Sequence, residues 1–403
     1  MGVAHAIQRE ATELWAEGKG PLLVAIAGGW GVLLGTRMVY PVLLPYLRSS
    51  FDLSLTVGGL LVTVLWLGSA LGQLPGGILA DRYSERAVMV AGALVVAVAL
   101  VFVVTASTPL VLFAATGLVG LGQSLYPIAR ITILSKIYPD RIGSALGVTM
   151  ATGDLGQTVF PPIGGAIAAA VAWQLGLGFI APLLVVVAVV LWVTLPVQPS
   201  TGSPVDSLSA ESASSVIGKL RRSNLVFVAF ILFLYILIWQ SFTGLYPTYL
   251  VERKGLSSSL AGVLFSVFFA FGVLVKPLAG AAYDRIGLRR ALAVVLVGPV
   301  VGLTLLPFVD GFWPLVGVTA LVSTMLGSGT ITQSFFSDAI PDEVQGTGLG
   351  VVRTTTATLG ALGPVVFGAL ADRGYFDEGY VLLAAVLVVV IVLTLRLPER
   401  SRA

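Results

Sequence analysis

Five ionisable residues stand inside long apolar runs of this sequence: Arg37, Arg130, Asp154, Lys276 and Arg353. A charge at the centre of an apolar helix in lipid costs about 2.5–3.5 kcal/mol on insertion scales, so each of them asks for a use. Guanidinium groups pair with carboxylate or phosphate in bidentate fashion, so two arginines in a low-dielectric cavity favour an anion. Asp154 is the single acid at such depth, which makes it the candidate for proton coupling; the plainer reading is a structural partner for a nearby Arg. The two roles combine if Asp154 pairs with Arg37 in the empty site and takes up a proton when an incoming anion captures Arg37. Lys276, Arg130 and Arg353 lie nearer the ends of their runs, where snorkelling toward water is the alternative.

Other chemistries are excluded by composition. There is no Cys, so disulfides, thiolate nucleophiles and Cys-ligated zinc are out, and the single His, His5, leaves no basis for a metal site or a His-based nucleophile system. No cofactor is implied, no phosphate loop of a nucleotide-driven pump is visible, and the chain is not expected to be an enzyme. A formal net charge of +3 gives no basis for nucleic-acid binding.

The elements that must position the charges follow from hydropathy. Of 403 residues, 57% are hydrophobic and 11% charged, and the mean hydropathy is +0.98; a soluble domain carries about a quarter charged residues. Twelve apolar segments fall at roughly 21–47, 55–80, 87–106, 109–136, 142–171, 174–196, 223–250, 257–282, 290–308, 313–337, 346–370 and 378–397, each near the length that spans a bilayer as a helix. The expected fold is an all-α membrane protein. Residues 198–222, rich in Ser with Gly and Pro, read as a linker between bundles at 21–197 and 223–397, with tails at 1–20 and 398–403. The first tail is too polar for a signal peptide; Ile7, Ala11, Leu14 and Trp15 have the spacing of a short surface helix, and a loosely ordered tail is the alternative. Of 23 Lys and Arg, fifteen flank the side carrying the termini and four (Arg48, Arg253, Lys254, Arg373) the other. The positive-inside rule then puts both termini in the cytoplasm of a plasma-membrane protein.

An offset of 203 superimposes the halves: Gly59 on Gly262, Gly77 on Gly280, Asp81-Arg82 on Asp284-Arg285, Arg86 on Arg289, Pro161 on Pro364, Gly165 on Gly368 and Arg37 on Gln240. A constant offset over five spans predicts two six-helix bundles in parallel repeat, an arrangement that places a substrate site at mid-membrane between them.

These motifs resemble the major facilitator superfamily over essentially the whole chain. Its loop signature between spans 2 and 3 is matched by Gly77, Asp81, Arg82 and Arg86, with Ser84 in place of the usual second Gly, and again by Gly280, Asp284, Arg285, Gly287 and Arg289. The resemblance implies a cytoplasmic gate at Gly77, Asp81, Arg82, Arg86, Gly280, Asp284, Arg285 and Arg289; topology-setting charge is the bland alternative. Residues Gly153–Gly165 resemble a span-5 motif of proton-driven exporters, except that Phe160 stands where Gly is usual. Thr116 occupies the region of the family's span-4 Arg, so that residue's proton-linked role does not carry over. In this fold spans 1, 4, 7 and 10 line the cavity. The implied substrate-binding set is Arg37, Tyr40, Gln123, Tyr126, Arg130, Gln240, Tyr246 and Gln333, with Asp154 for proton coupling. Arginines on spans 1 and 4 resemble the organic-anion branches.

The expected function is secondary active transport of a small organic anion by alternating access, coupled to protons, by a functional monomer in the lipid bilayer. The alternative is a proton-driven drug or sugar efflux antiporter, and a solute sensor that has lost transport is a third reading.

Overall fold

The computed structural model describes residues 13–196, 225–339 and 345–396. Among them the regular structure is helical throughout, and nine helices are long and apolar enough to cross a membrane. The polar tail 1–12 and the linker 198–222 fall outside the described residues.

The path runs α1 (Gly20–Phe51), α2 (Leu55–Leu71), α3 (Gln73–Arg82), α4 (Glu85–Val104), α5 (Pro109–Ser124), α6 (Tyr126–Ile137), α7 (Ile142–Ala170), α8 (Trp173–Gly178) and α9 (Ile180–Thr194). It resumes with α10 (Leu225–Glu252), α11 (Ser258–Leu305), α12 (Phe312–Ser323), α13 (Gly327–Ala339), α14 (Gln345–Gly360), α15 (Gly363–Asp372) and α16 (Phe376–Leu395). The nine long helices do not map one to one on the twelve apolar segments. The segment expected at 55–80 is interrupted at Gly72, leaving Leu55–Leu71 with 17 residues. The segments at 257–282 and 290–308 form one rod broken at Gly287, whose φ of 75° and ψ of 174° are not helical. Ile142–Ala170 is 29 residues long and carries Asp154, Pro161 and Pro162; it is not one of the nine.

Helix starts are set by short hydroxyl residues. Ser54, Ser84, Thr108 and Ser257 each accept a bond from the backbone N–H three residues on, which satisfies one of the donors a first helical turn leaves over. Ser54 and Ser257 are 203 positions apart.

Packing between the N-terminal part (13–196) and the C-terminal part (225–396) is closest where glycine meets carbonyl. A Cβ on Gly59 would lie 2.3 Å from the carbonyl oxygen of Pro364, and one on Gly368 would lie 2.3 Å from that of Leu55. On the other flank, a Cβ on Gly262 would lie 3.0 Å from the Pro161 oxygen and one on Gly165 2.9 Å from the Ser258 oxygen. The second pair of contacts is the first displaced by 203 positions. In lipid no hydrophobic force drives helices together, so association relies on such close backbone approach.

All four contacts lie toward the end of the molecule opposite the termini. The same end carries an ion pair between Arg48 and Glu252, joining the last turns of α1 and α10. There too the Asp372 carboxylate accepts from the N–H groups of Leu55 and Thr56, both at 2.7 Å. An acid on the exposed N–H groups of a first turn is favoured by their partial positive charge. This far end is closed.

Candidate functional site

A cavity of ≈ 290 Å³ lies between the two parts, its walls made largely by α1, α2, α10 and α13. Its floor is two stacked indoles, Trp66 on α2 and Trp239 on α10, with ring centroids 5.4 Å apart and planes 23° from parallel. Each is the lining residue of its helix nearest the closed end, Trp239 together with its neighbour Gln240, while Gln73 and Gly329 line the cavity toward the end carrying the termini. The cavity therefore extends toward the termini and is stopped at the far side.

Arg37 enters this floor from α1. Its Cζ sits 5.2 Å from the Trp66 ring centroid, a cation–π contact. Its Nε is buried and lacks a hydrogen-bond partner. Beside it, Gln240 is 3% exposed and its Oε1 is likewise buried without a partner, as is Trp66 Nε1. Arg37 is the one charged side chain lining the cavity among the described residues. Buried polar groups are normally hydrogen-bonded, so three unpartnered ones on residues that line one floor set it apart.

Of the expected substrate set, Arg37 and Gln240 meet here. The others have partners within the protein. Tyr40 Oη lies 3.5 Å from Thr116 Oγ1, and Tyr246 Oη lies 2.5 Å from Thr319 Oγ1. Thr116 and Thr319 are 203 positions apart, so in each part a span-4-type threonine meets a tyrosine from the first helix of that part. Gln123 donates to the Leu33 oxygen at 3.3 Å and Tyr126 to the Ile26 oxygen at 2.8 Å, holding α5 and α6 to α1. Arg130 donates to Thr149 at 2.6 Å and lies 4.2 Å from the Trp30 ring centroid. It is 4% exposed and does not line the cavity with Arg37. The expected pair of arginines on one anion is thus not assembled. The side chains of Gln333 and Arg353 lie outside the described ones.

Asp154 calls for a correction. It does not pair with Arg37: Lys276 Nζ donates to both of its carboxylate oxygens, at 2.6 and 2.7 Å. The two side chains are 13% and 27% exposed, and the bond ties α7 to α11. The reason is geometric. These helices pack directly on each other through Gly262 and Gly165, and the long Lys276 side chain reaches across to Asp154, while Arg37 is turned onto Trp66. Lys276 therefore does not snorkel freely to water.

The residues expected at the gate are divided. Arg86 donates to the carbonyl oxygens of Trp192 and Leu195, at 3.3 and 3.1 Å, with its Cζ 4.2 Å from the Trp192 ring centroid. Arg289 donates to the Leu395 oxygen, which is Trp192 advanced by 203. Both thereby cap the last turn of the final helix in their own part, where carbonyl ends attract a cation. Arg82 is exposed, 5.8 Å from the Tyr83 ring centroid, and Arg285 is exposed. Gly77 packs on Ile128 of α6 and Gly280 on Thr330 of α13. Asp284 is exposed and has an interaction within the protein; the Asp81 side chain is outside the described ones. Sequence reasoning missed Trp66, Trp239, Gln73 and Tyr235. Trp239 had a signal, since it adjoins the repeat partner of Arg37.

Comparison with known proteins agrees with this architecture. The Major Facilitator Superfamily profile matches residues 25–361 and 228–403. The chain is 24% identical over 371 residues to the hexuronate transporter of Bacillus subtilis, with 88% of each chain covered. It is 28% identical over 134 residues, 33% of each chain, to the multidrug resistance protein MdtG of Proteus mirabilis. A solved bacterial homologue of the human lysosomal transporter Spinster, inward-facing and unoccupied, superposes with a TM-score of 0.76 at 15% identity, covering 93% of this chain and 95% of that one. A membrane-spanning helical body and a cavity between its two parts agree with a match along the whole chain: this protein belongs to the Major Facilitator Superfamily and is a multi-pass, non-enzymatic transporter of a small molecule.

Proposed function

We propose that the protein is a secondary active transporter that moves a small organic anion by alternating access, coupled to protons. In this reading twelve helices form two six-helix bundles, residues 21–197 and 223–397, which rock about the glycine contacts of α2 with α15 and of α7 with α11. The 203-residue relation between those contacts supports it. With cytoplasmic termini, the closed far end and the cavity reached from the other side describe an inward-facing state.

One observation carries the anion assignment: the guanidinium of Arg37 stands on the cavity floor with its Nε unpaired, and no described carboxylate lines the cavity. An unmatched cation at this depth is costly, and a substrate anion offsets the cost. The hexuronate transporter among its relatives moves, by name, such an anion. Asp154, held by Lys276, is the proton-coupling group: protonation of its carboxylate would release the tie between the bundles. The second reading, proton-driven efflux of drugs or sugars, draws on the span-5 motif and on the similarity to MdtG; it is weakened because Asp154 is engaged and does not line the cavity.

The test is uptake by the purified protein in proteoliposomes. Radiolabelled glucuronate should accumulate when the outside is acid, and Arg37→Gln should lower uptake at least tenfold while leaving the unliganded Tm within a few degrees. Uptake of a lipophilic cation in its place, unaffected by Arg37→Gln, would establish the second reading.

A further inference from the structure

The floor of the cavity carries more information than the sign of the substrate. Arg37 and Gln240 are equivalent positions at the 203-residue offset, and both line the same cavity beside the stacked indoles. The pseudo-symmetric pair has therefore kept one guanidinium and one uncharged amide. The unpartnered polar atoms of the residues on that floor, all buried in this conformation, are two donors, Arg37 Nε and Trp66 Nε1, and one acceptor, Gln240 Oε1.

We infer that the site selects a compact monoanion bearing a hydrogen-bond donor close to its acid group, such as a hydroxy-substituted monocarboxylate, and rejects dianions. This rests on the organic-anion reading and sharpens it. One acid group supplies acceptors to Arg37 and to the Trp66 N–H, and a neighbouring hydroxyl donates to Gln240. A second acid group would face the amide oxygen and two indoles, where no described cation neutralises it, and burying an unpaired charge is far more costly than burying a hydroxyl. Loss of the donor is penalised as well, because Gln240 Oε1 would stay buried and unpaired; sites built to bond a hydroxyl discriminate strongly against the analogue that lacks it. The volume of ≈ 290 Å³ sits at the lower end of the range for ligand pockets, which favours a compact solute.

The experiment is thermal stabilisation and direct binding with the purified full-length protein and a matched series: glucuronate, its dianionic relative glucarate, neutral glucose, cationic glucosamine, and cyclohexanecarboxylate as the ring acid without hydroxyls. Glucuronate should bind at least ten times more tightly than glucarate and than cyclohexanecarboxylate. Gln240→Arg, which makes the pair symmetric, should reverse the first preference and favour glucarate. Gln240→Leu should erase the advantage of glucuronate over cyclohexanecarboxylate. The unliganded Tm of each variant reports folding, and the wild-type ratios stand as a test where a variant fails to fold. Equal or tighter binding of glucarate by the wild type overturns the single-charge inference and leaves the anion reading standing. Stabilisation by glucosamine alone, or by no member of the series, overturns both.

Discussion

Lys276 and Asp154 join the two parts of the molecule through both carboxylate oxygens, at 2.6 and 2.7 Å, from helices that run side by side. The bond lies on the termini side of the glycine contacts that join α7 and α11, and is a second tie between the same two helices. Removing one partner from a largely buried pair leaves the other charge uncompensated, which costs more than the pair contributes. Asp154→Asn should therefore lower the Tm, and Asp154→Lys combined with Lys276→Asp should restore it. In transport, Asp154→Asn should keep exchange of substrate across the membrane and lose accumulation driven by a pH gradient. Full pH-driven accumulation by that variant would remove Asp154 from the coupling role and leave it as a structural tie.

Closure of the far end depends on two missing side chains. A Cβ at Gly59 or Gly368 would come within 2.3 Å of a backbone oxygen that cannot rotate away. Gly59→Ala or Gly368→Ala should force α2 and α15 apart and shift the population toward a far-open conformation. Because the chain has no native Cys, a single Leu55→Cys reporter can be labelled without background. Leu55 is 8% exposed in the closed state, so labelling by a membrane-impermeant maleimide should rise several-fold in either glycine variant. An unchanged rate would mean that the contact relaxes without opening.

How much of this was legible beforehand can be traced residue by residue. The glycines, the Asp-Arg loops and the Arg37–Gln240 correspondence were all visible, because a repeat writes itself as a fixed offset and backbone approach demands glycine wherever it occurs. What the sequence did not contain was side-chain direction. Arg37 and Asp154 read as deep charges, and Arg130 as one nearer the end of its helix, all on cavity-facing or interface helices. Their partners depend on helix rotation, which shifts a side chain by about 100° for each residue of slip. Arg130 turned inward to Trp30 and Thr149, Arg37 onto Trp66, and Asp154 across to Lys276. Tyr40, Tyr126 and Tyr246 were candidates because polar aromatics suit binding sites, yet each hydroxyl is taken up within the protein. The gate arginines show the same limit: Arg86 and Arg289 were legible as a pair, and their carbonyl partners at Trp192 and Leu395 were not.

The one departure from the repeated loop signature gives the last prediction. The second copy has Gly287 at φ 75°, ψ 174°, a region essentially closed to side chains. Ser84, its counterpart, is extended at φ −179°, ψ 151° and accepts a bond from the Ala87 N–H at 3.1 Å. The two loops thus begin their next helix differently, one by a left-handed glycine and one by a hydroxyl cap, which explains why Ser replaces Gly in one copy without strain. Gly287→Ala should cost about 1–3 kcal/mol. At the other copy Ser84→Gly should cost a few tenths of a kcal/mol and Ser84→Ala about 1 kcal/mol. Tryptophan-fluorescence melts of the three purified variants check this. The expected order of Tm loss is Gly287→Ala, then Ser84→Ala, then Ser84→Gly, and equal losses for Gly287→Ala and Ser84→Gly would refute the asymmetry between the loops.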